Sequence, residues 1–343
     1  MRRLRVLLLL AWLAGLEALA TGAPVLARVP GPDSGAATTS SQRALQLLDN
    51  AARVARNLPW SGVQQVTSWQ SGVARTAVLS VSYDPGVGSV VRDASDPTTA
   101  LAVPADVLDE RLVGLLGSRY DLSVTTTGRC AGHLADLVEA RRRGVSGAAA
   151  VAGRFWVDRT TGMVLRRDVL DPSGAVVRRT AFVHLDSTAA PVVVAAAPAL
   201  RPTGRRVTAV ELAGLRTAAP TELPDGMRLF EARMHDRVLQ LAYSDGLSSL
   251  SLFVQPGDVP PSVEGAVQRR GGYDVVSVAP GREQLVWAGG GRTWTLVSDA
   301  PADAVNAAVA ALPHGAGKRP ADGLPARSWR GLSRVGSWLN PFD

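Results

Sequence analysis

The chain has 343 residues, 46% of them hydrophobic and 20% charged, with a net charge of +7. This length divides into about two domains of roughly 150 residues each, and the apolar content excludes wholesale disorder. Lys318 is the only lysine; with Arg319, Arg327, Arg330 and Arg334 it crowds residues 314–343, so the basic excess is a tail and not the broad face that a nucleic-acid partner requires.

Residues 1–20 have the layout of a secretory signal. Arg2, Arg3 and Arg5 precede an apolar run from Val6 to Leu16, and Ala18-Leu19-Ala20 has the small-x-small form of a cleavage site. An uncleaved anchor is the alternative; Glu17 and the short run speak against it, since a span needs about 18 or more apolar residues. The chain is expected to be exported, to the periplasm or the extracytoplasmic cell envelope. Residues 21–40 are rich in Pro, Gly, Ser, Thr and Ala and are expected to form a flexible leader.

Ala44, Leu45, Leu47, Leu48, Ala51, Ala52, Val54 and Ala55 follow a 3.6-residue period, which predicts an amphipathic helix over 41–57. Asn57 and Pro59 mark its end. Strands at 60–70 and 73–83 flank Ser71-Gly72, a hairpin turn. A short strand follows at 89–92, then a segment in which Pro104–Leu116 suits a short helix. Strands are expected at 119–127 and 133–141, with a loop over 142–151. A three-stranded meander covers Arg154–Asp158, Met163–Leu170 and Ala175–Leu185, with turns at 159–162 and 171–174.

Residues 187–222 shift to Ala, Pro, Val, Arg and Thr and read as a linker between domains. A second, smaller β-rich domain is expected over 223–313. Its strands are 227–234, 238–243, 247–255, 275–278, 283–288 and 293–298, with Asp245-Gly246 and the Gly289-Gly290-Gly291 run as turns. A helix over 301–312 closes it, capped by Ser298 or Asp299. The basic tail at 314–343 places Trp329, Leu332 and Trp338 at helical spacing among Arg330 and Arg334, which suits a membrane surface or a partner groove.

Nothing in this pattern reads as catalytic. His133, His184, His235 and His314 are far apart, and the sequence has no HExxH, GxSxG, SxxK or phosphate-binding GxxxxGK[ST] motif. Cys130 is the only cysteine, so no internal disulfide can form, and its simplest role is that of a small buried hydrophobe. Asp158 and Asp168 stand among Arg159, Arg166 and Arg167, which reads as an exposed salt-bridged hairpin. No cofactor or metal is implied.

Three segments resemble the MucB/RseB family, the extracytoplasmic regulators of envelope-stress sigma factors. They are Ala44–Leu48 running to Leu58-Pro59-Trp60-Ser61-Gly62; Arg154-Phe155-Trp156-Val157-Asp158 through Gly162-Met163-Val164-Leu165-Arg166 to Phe182; and Tyr243-Ser244-Asp245-Gly246-Leu247 through Val254. The resemblance covers roughly residues 41–313, and the Arg- and Ala-rich composition is similar to that of actinobacterial members. It implies a mainly β (α+β) fold: a LolA/LppX-like curved antiparallel half-barrel with helices over 41–186, followed by the smaller β-rich domain. It also implies a partner, the extracytoplasmic domain of a membrane-anchored anti-sigma factor, released by a lipid or envelope signal.

Phe155, Trp156 and Val157 are consecutive and apolar, so both faces of their strand are covered; a one-sided sheet would alternate. Burial between two protein layers and a lipid groove are both compatible with this. A groove would be lined by Trp60, Trp69, Phe155, Trp156, Val157, Met163 and Leu165. Three functions stand at this point: an anti-sigma-binding regulator, a lipid-binding or lipid-carrier envelope protein without that role, and a hydrolase of unfamiliar type. The last needs His133 or His184 to meet a serine or a carboxylate.

Overall fold

The computed structural model describes residues 34–70, 72–85, 88–93, 100–103, 110–187, 204–215, 219–257, 259, 265–277 and 283–315. The signal segment, most of the leader, most of the linker and the tail residues Trp329, Arg330, Leu332, Arg334 and Trp338 lie outside them. The described residues form two open antiparallel sheets, each with helices packed on it, as the mainly β reading expects.

The first sheet has nine strands: β1 (Trp60–Gln70), β2 (Val73–Asp84), β3 (Gly88–Asp93), β4 (Ala100–Val103), β5 (Tyr120–Cys130), β6 (His133–Arg142), β7 (Val151–Asp158), β8 (Val164–Leu170) and β9 (Val176–Asp186). Their order is β4-β3-β2-β1-β9-β8-β7-β6-β5, so pairing of β1 with β9 joins two meanders into one surface. The turn between β1 and β2 is as short as Ser71-Gly72 predicts, with Gly72 at φ 79°.

Two helices lie on this sheet: α1 (Ser34–Asn57) and α2 (Glu110–Arg119). The first starts seven residues before its expected position, because no proline lies between Pro32 and Pro59 and the added stretch includes Ala36 and Ala37, good helix formers. Its stripe Ala44, Leu48, Ala51, Ala52 and Ala55 is buried against the sheet, as the period demands. Burial of a residue such as Leu48 stabilises by about 1.5–3 kcal/mol. The end of α1 is pinned: Trp60 Nε1 donates to Ala55 O (3.0 Å) and Tyr83 Oη to Arg56 O (2.8 Å). The strand β4 was not expected, and the helix expected over 104–116 is observed over Glu110–Arg119.

The second sheet has β10 (Arg205–Arg206), β11 (Glu222–Leu223), β12 (Met227–His235), β13 (Val238–Ser244), β14 (Ser249–Pro256), β15 (Ala266–Arg270), β16 (Tyr273–Ser277), β17 (Glu283–Gly289) and β18 (Arg292–Ser298). Around it lie α3 (Ala209–Gly214) and α4 (Ala302–Ala311). This unit begins well before residue 223. Residues 204–215 and 219–222, expected as linker, join it through β10, α3 and β11, and Val207 and Leu212 enter its core. The cause is local: Thr208 and Glu211 form a capping box that starts α3.

Two further expectations are corrected. The loop between β13 and β14 is Asp245–Ser248 and not the two residues Asp245-Gly246, because the Asp245 carboxylate accepts from Leu247 N (2.9 Å) and Ser248 N (2.6 Å) and holds a wider turn. The helix α4 has Pro301 at its N-cap with no side-chain cap, because Asp299 is turned toward Ser249 N (2.6 Å). The core of this unit centres on Trp294, Tyr243, Leu241, Leu252 and Leu296, all fully buried.

Candidate functional site

Side chains alternate across a sheet, and here the alternation separates two very different faces. Phe155 and Val157 on β7 point toward the helices, into a cluster with Leu48 of α1, Leu116 of α2, Leu122, Val138 and Val169. Trp60, Met163 and Leu165 lie in an adjoining apolar cluster with Ala55, Val66, Leu79 and Phe182. Trp60 meets Phe182 edge-on at 5.7 Å and stacks with Tyr83 at 6.0 Å. Five of the seven residues expected in a groove therefore belong to these two clusters, and a sixth, Trp156, packs against the second.

Trp69 and Trp156 each carry an arginine on the ring, and Trp156 also packs, half-buried, against the second of these clusters. The Arg166 guanidinium lies 4.1 Å from the centre of the Trp156 ring, and that of Arg179 lies 5.8 Å from Trp69. Both arginines grip Asp168: Arg166 donates at 2.9 and 2.5 Å, Arg179 at 2.9 and 3.0 Å. Burial alone would raise the Asp168 pKa; the hydrogen bonds from the two arginines outweigh it and hold the carboxyl below its usual range. The exposed salt-bridged hairpin expected here is thus corrected: Asp158 and Asp168 are fully buried. Both faces of β7 are covered, one by apolar packing and one by an arginine-carboxylate ladder.

His133 does meet a carboxylate, with Nδ1 3.0 Å from Asp158 Oδ2. That carboxylate also accepts from Thr160 N (2.9 Å) and Thr161 Oγ1 (2.8 Å). A nucleophile needs its hydroxyl on the imidazole, whereas Thr161 donates to the carboxylate. The arrangement fastens the β7–β8 turn, whose Gly162 (φ 76°) abuts Asn50 of α1. His184 is exposed, His235 bonds Gln240, and His314 lies flat on Tyr273 with Nε2 2.7 Å from Val309 O. Burial raises the Cys130 thiol pKa, which suits packing and not reactivity. Among the described residues no group of His, Cys, Asp or Glu could hold a metal ion, and no helix is long and apolar enough to cross a membrane.

The feature that sequence reasoning missed is the joint between the two units. The β13–β14 tip enters the first unit beside α2. Leu247, 2% exposed, belongs to the cluster of Leu116 and Phe155 and not to the core of its own sheet. Tyr120 Oη donates to Asp245 Oδ2 (2.5 Å), and Arg167 Nη2 donates to Leu247 O. Burial, followed by the charge of Asp245, raises the Tyr120 pKa far above its ordinary value, so this hydroxyl keeps its proton. Two glycines permit the approach. A Cβ on Gly153 would lie 2.3 Å from Leu247 Cδ1, and one on Gly246 would lie 2.3 Å from Leu116 N. The available signals were an apolar residue at a hairpin tip and a glycine within a strand.

Residues 105–201 match the model of the MucB/RseB N-terminal domain. Among solved structures, MucB is similar at 20% identity, covering 79% of this chain and 98% of that one, with a TM-score of 0.46. The Pseudomonas aeruginosa MucA/MucB complex is similar at 22% identity, 80% and 100% coverage and a TM-score of 0.44. A LolA superfamily protein from Nitrosomonas europaea is similar at 11% identity, 44% and 95% coverage and a TM-score of 0.21. No curated protein matches the chain.

Proposed function

We propose that the chain, whose residues 105–201 match the model of the MucB/RseB N-terminal domain, is an exported regulatory binding protein of that kind. Its partner is the extracytoplasmic domain of a membrane-anchored anti-sigma factor, and its signal is a lipid or other apolar ligand of the envelope. The observation that carries this reading is the family match on a segment that supplies α2 and the strands β5–β9. The apolar layer between the helices and the sheet supports the ligand part. Trp60, Phe155, Val157, Met163 and Leu165 give it the chemistry of acyl chains, with no polar side chain required for recognition. Trp69, under Arg179, fits the rim of a headgroup or peptide contact, and Trp156 joins that rim to the apolar layer it packs against. The tail residues Trp329, Arg330, Leu332, Arg334 and Trp338 supply a membrane-surface contact in the same scheme.

A pull-down from envelope extracts with the full chain tests this, with mass spectrometry of proteins and extracted lipids. Recovery of a single-pass protein that carries a cytoplasmic anti-sigma domain is expected. Recovery of lipid alone favours a carrier without a sigma-factor role.

A further inference from the structure

The Leu247 side chain is an apolar group from one unit packed into the buried apolar cluster of the other. Its surroundings are those an aliphatic chain would seek: Leu116 of α2, Phe155 of β7 and the bare backbone of Gly153. The tip is fastened there by polar bonds, Tyr120 to Asp245 and Arg167 to Leu247 O, with Asp299 Oδ2 3.9 Å from Arg167 Nη2. The tip has little freedom to shift sideways. Gly246 lies against α2 backbone atoms, Leu116 N and Leu112 O, which cannot rotate aside as a side chain does.

We propose that Leu247 is a built-in stopper: it fills part of the apolar layer between α2 and β7, and an acyl chain takes that place only when the β13–β14 tip withdraws. Ligand occupancy and docking of the two units are then mutually exclusive, which converts an apolar signal into a change in domain arrangement. This rests on the reading of the helix side as an apolar-ligand site and adds the residue through which the ligand acts. A ligand shifts such an equilibrium only through differential affinity for the two states, and competition with Leu247 supplies that difference.

The test uses the full chain with Cys130→Ala and nitroxide labels at Val183→Cys and Val267→Cys, two strongly exposed positions in different units. Cis-parinaric acid is the probe, read by its fluorescence on binding and by the label-to-label distance. In the parent chain, saturating acid is expected to lengthen and broaden the distance. Leu247→Ser removes the competitor, and it is expected to show the longer distance without acid and to bind the acid about tenfold or more tightly. Tyr120→Phe keeps the stopper and loosens its fastening, so a smaller tightening is expected with an unchanged far-ultraviolet spectrum. Equal affinity in all three chains with an unchanged distance overturns the stopper and leaves the apolar-ligand reading in place. Absence of acid binding in all three, with the distance already lengthened by Leu247→Ser, overturns both.

Discussion

Substitution of Gly246 by alanine perturbs the joint at the backbone of α2. Gly246 has φ 88°, and a Cβ there would lie 2.3 Å from Leu116 N and 2.5 Å from Leu112 O. An alanine in the left-handed region costs about 1–2 kcal/mol. The overlap with α2 backbone has one relief, withdrawal of the tip. Withdrawal forfeits burial of Leu247, about 2 kcal/mol, and the Tyr120–Asp245 bond, about 1.5–3 kcal/mol for a charged acceptor. The joint should therefore open while β13 and β14, held by their own six-pair register from Leu239↔Val254 to Ser244↔Ser249, stay folded. Hydrogen exchange by mass spectrometry reads this directly. Amides of Leu247, Ser248 and residues 110–119 should exchange at least a hundredfold faster, with the sheet cores unchanged. Unchanged exchange at residues 110–119 would refute the account of the joint; acceleration throughout both sheets would show that the tip matters to folding and not to docking alone.

The Asp168 clamp gives a pH prediction. A carboxyl held below its usual range contributes stability that is complete above the unfolded value near 4 and is lost as pH falls through the folded value. Asp168→Asn should cost about 2–4 kcal/mol at pH 7, toward the lower end because Arg166 and Arg179 are partly exposed and regain water. Circular-dichroism melts should show that difference shrinking below pH 4; a difference independent of pH contradicts the clamp. Trp60→Ala should destabilise the first unit by about 3–5 kcal/mol, since the ring is 4% exposed and bonds Ala55 O, and a loss under 1 kcal/mol in urea unfolding contradicts its place in the core. Tyr120 keeps its proton in the docked state, so its contribution is complete below pH 10 and is lost as pH rises above that value. Label-to-label distances across the joint should lengthen above pH 10 in the parent chain and stay constant in Tyr120→Phe.

Most strands were legible because alternation and turn residues agree. Gly72, Gly162 and Gly174 all take positive φ at turns read from the sequence. The missing strands β4 and β15 are short, four and five residues, and carry little pattern. The helix α3 was legible in principle, through Thr208 and Glu211 at capping-box spacing, and was hidden by the Pro- and Ala-rich stretch before it. For the groove residues, the run Phe155-Trp156-Val157 announces that both faces of β7 are covered. What covers each face is a matter of cross-strand register. Arg179 reaches Asp168 because β8 and β9 pair Asp168 with Arg179, and sequence distance carries no trace of that. The joint was invisible for the same reason in stronger form: Tyr120 and Asp245 are 125 residues apart.

The most direct test of the central claim is calorimetric titration of the full chain with the purified extracytoplasmic domain of the anti-sigma factor recovered from the envelope, with and without extracted lipid. The account predicts saturable binding of one domain per chain that weakens when lipid is added, with the partner resisting proteolysis only in the complex. Absence of heat and of protection, with a chain shown to be folded, would contradict it.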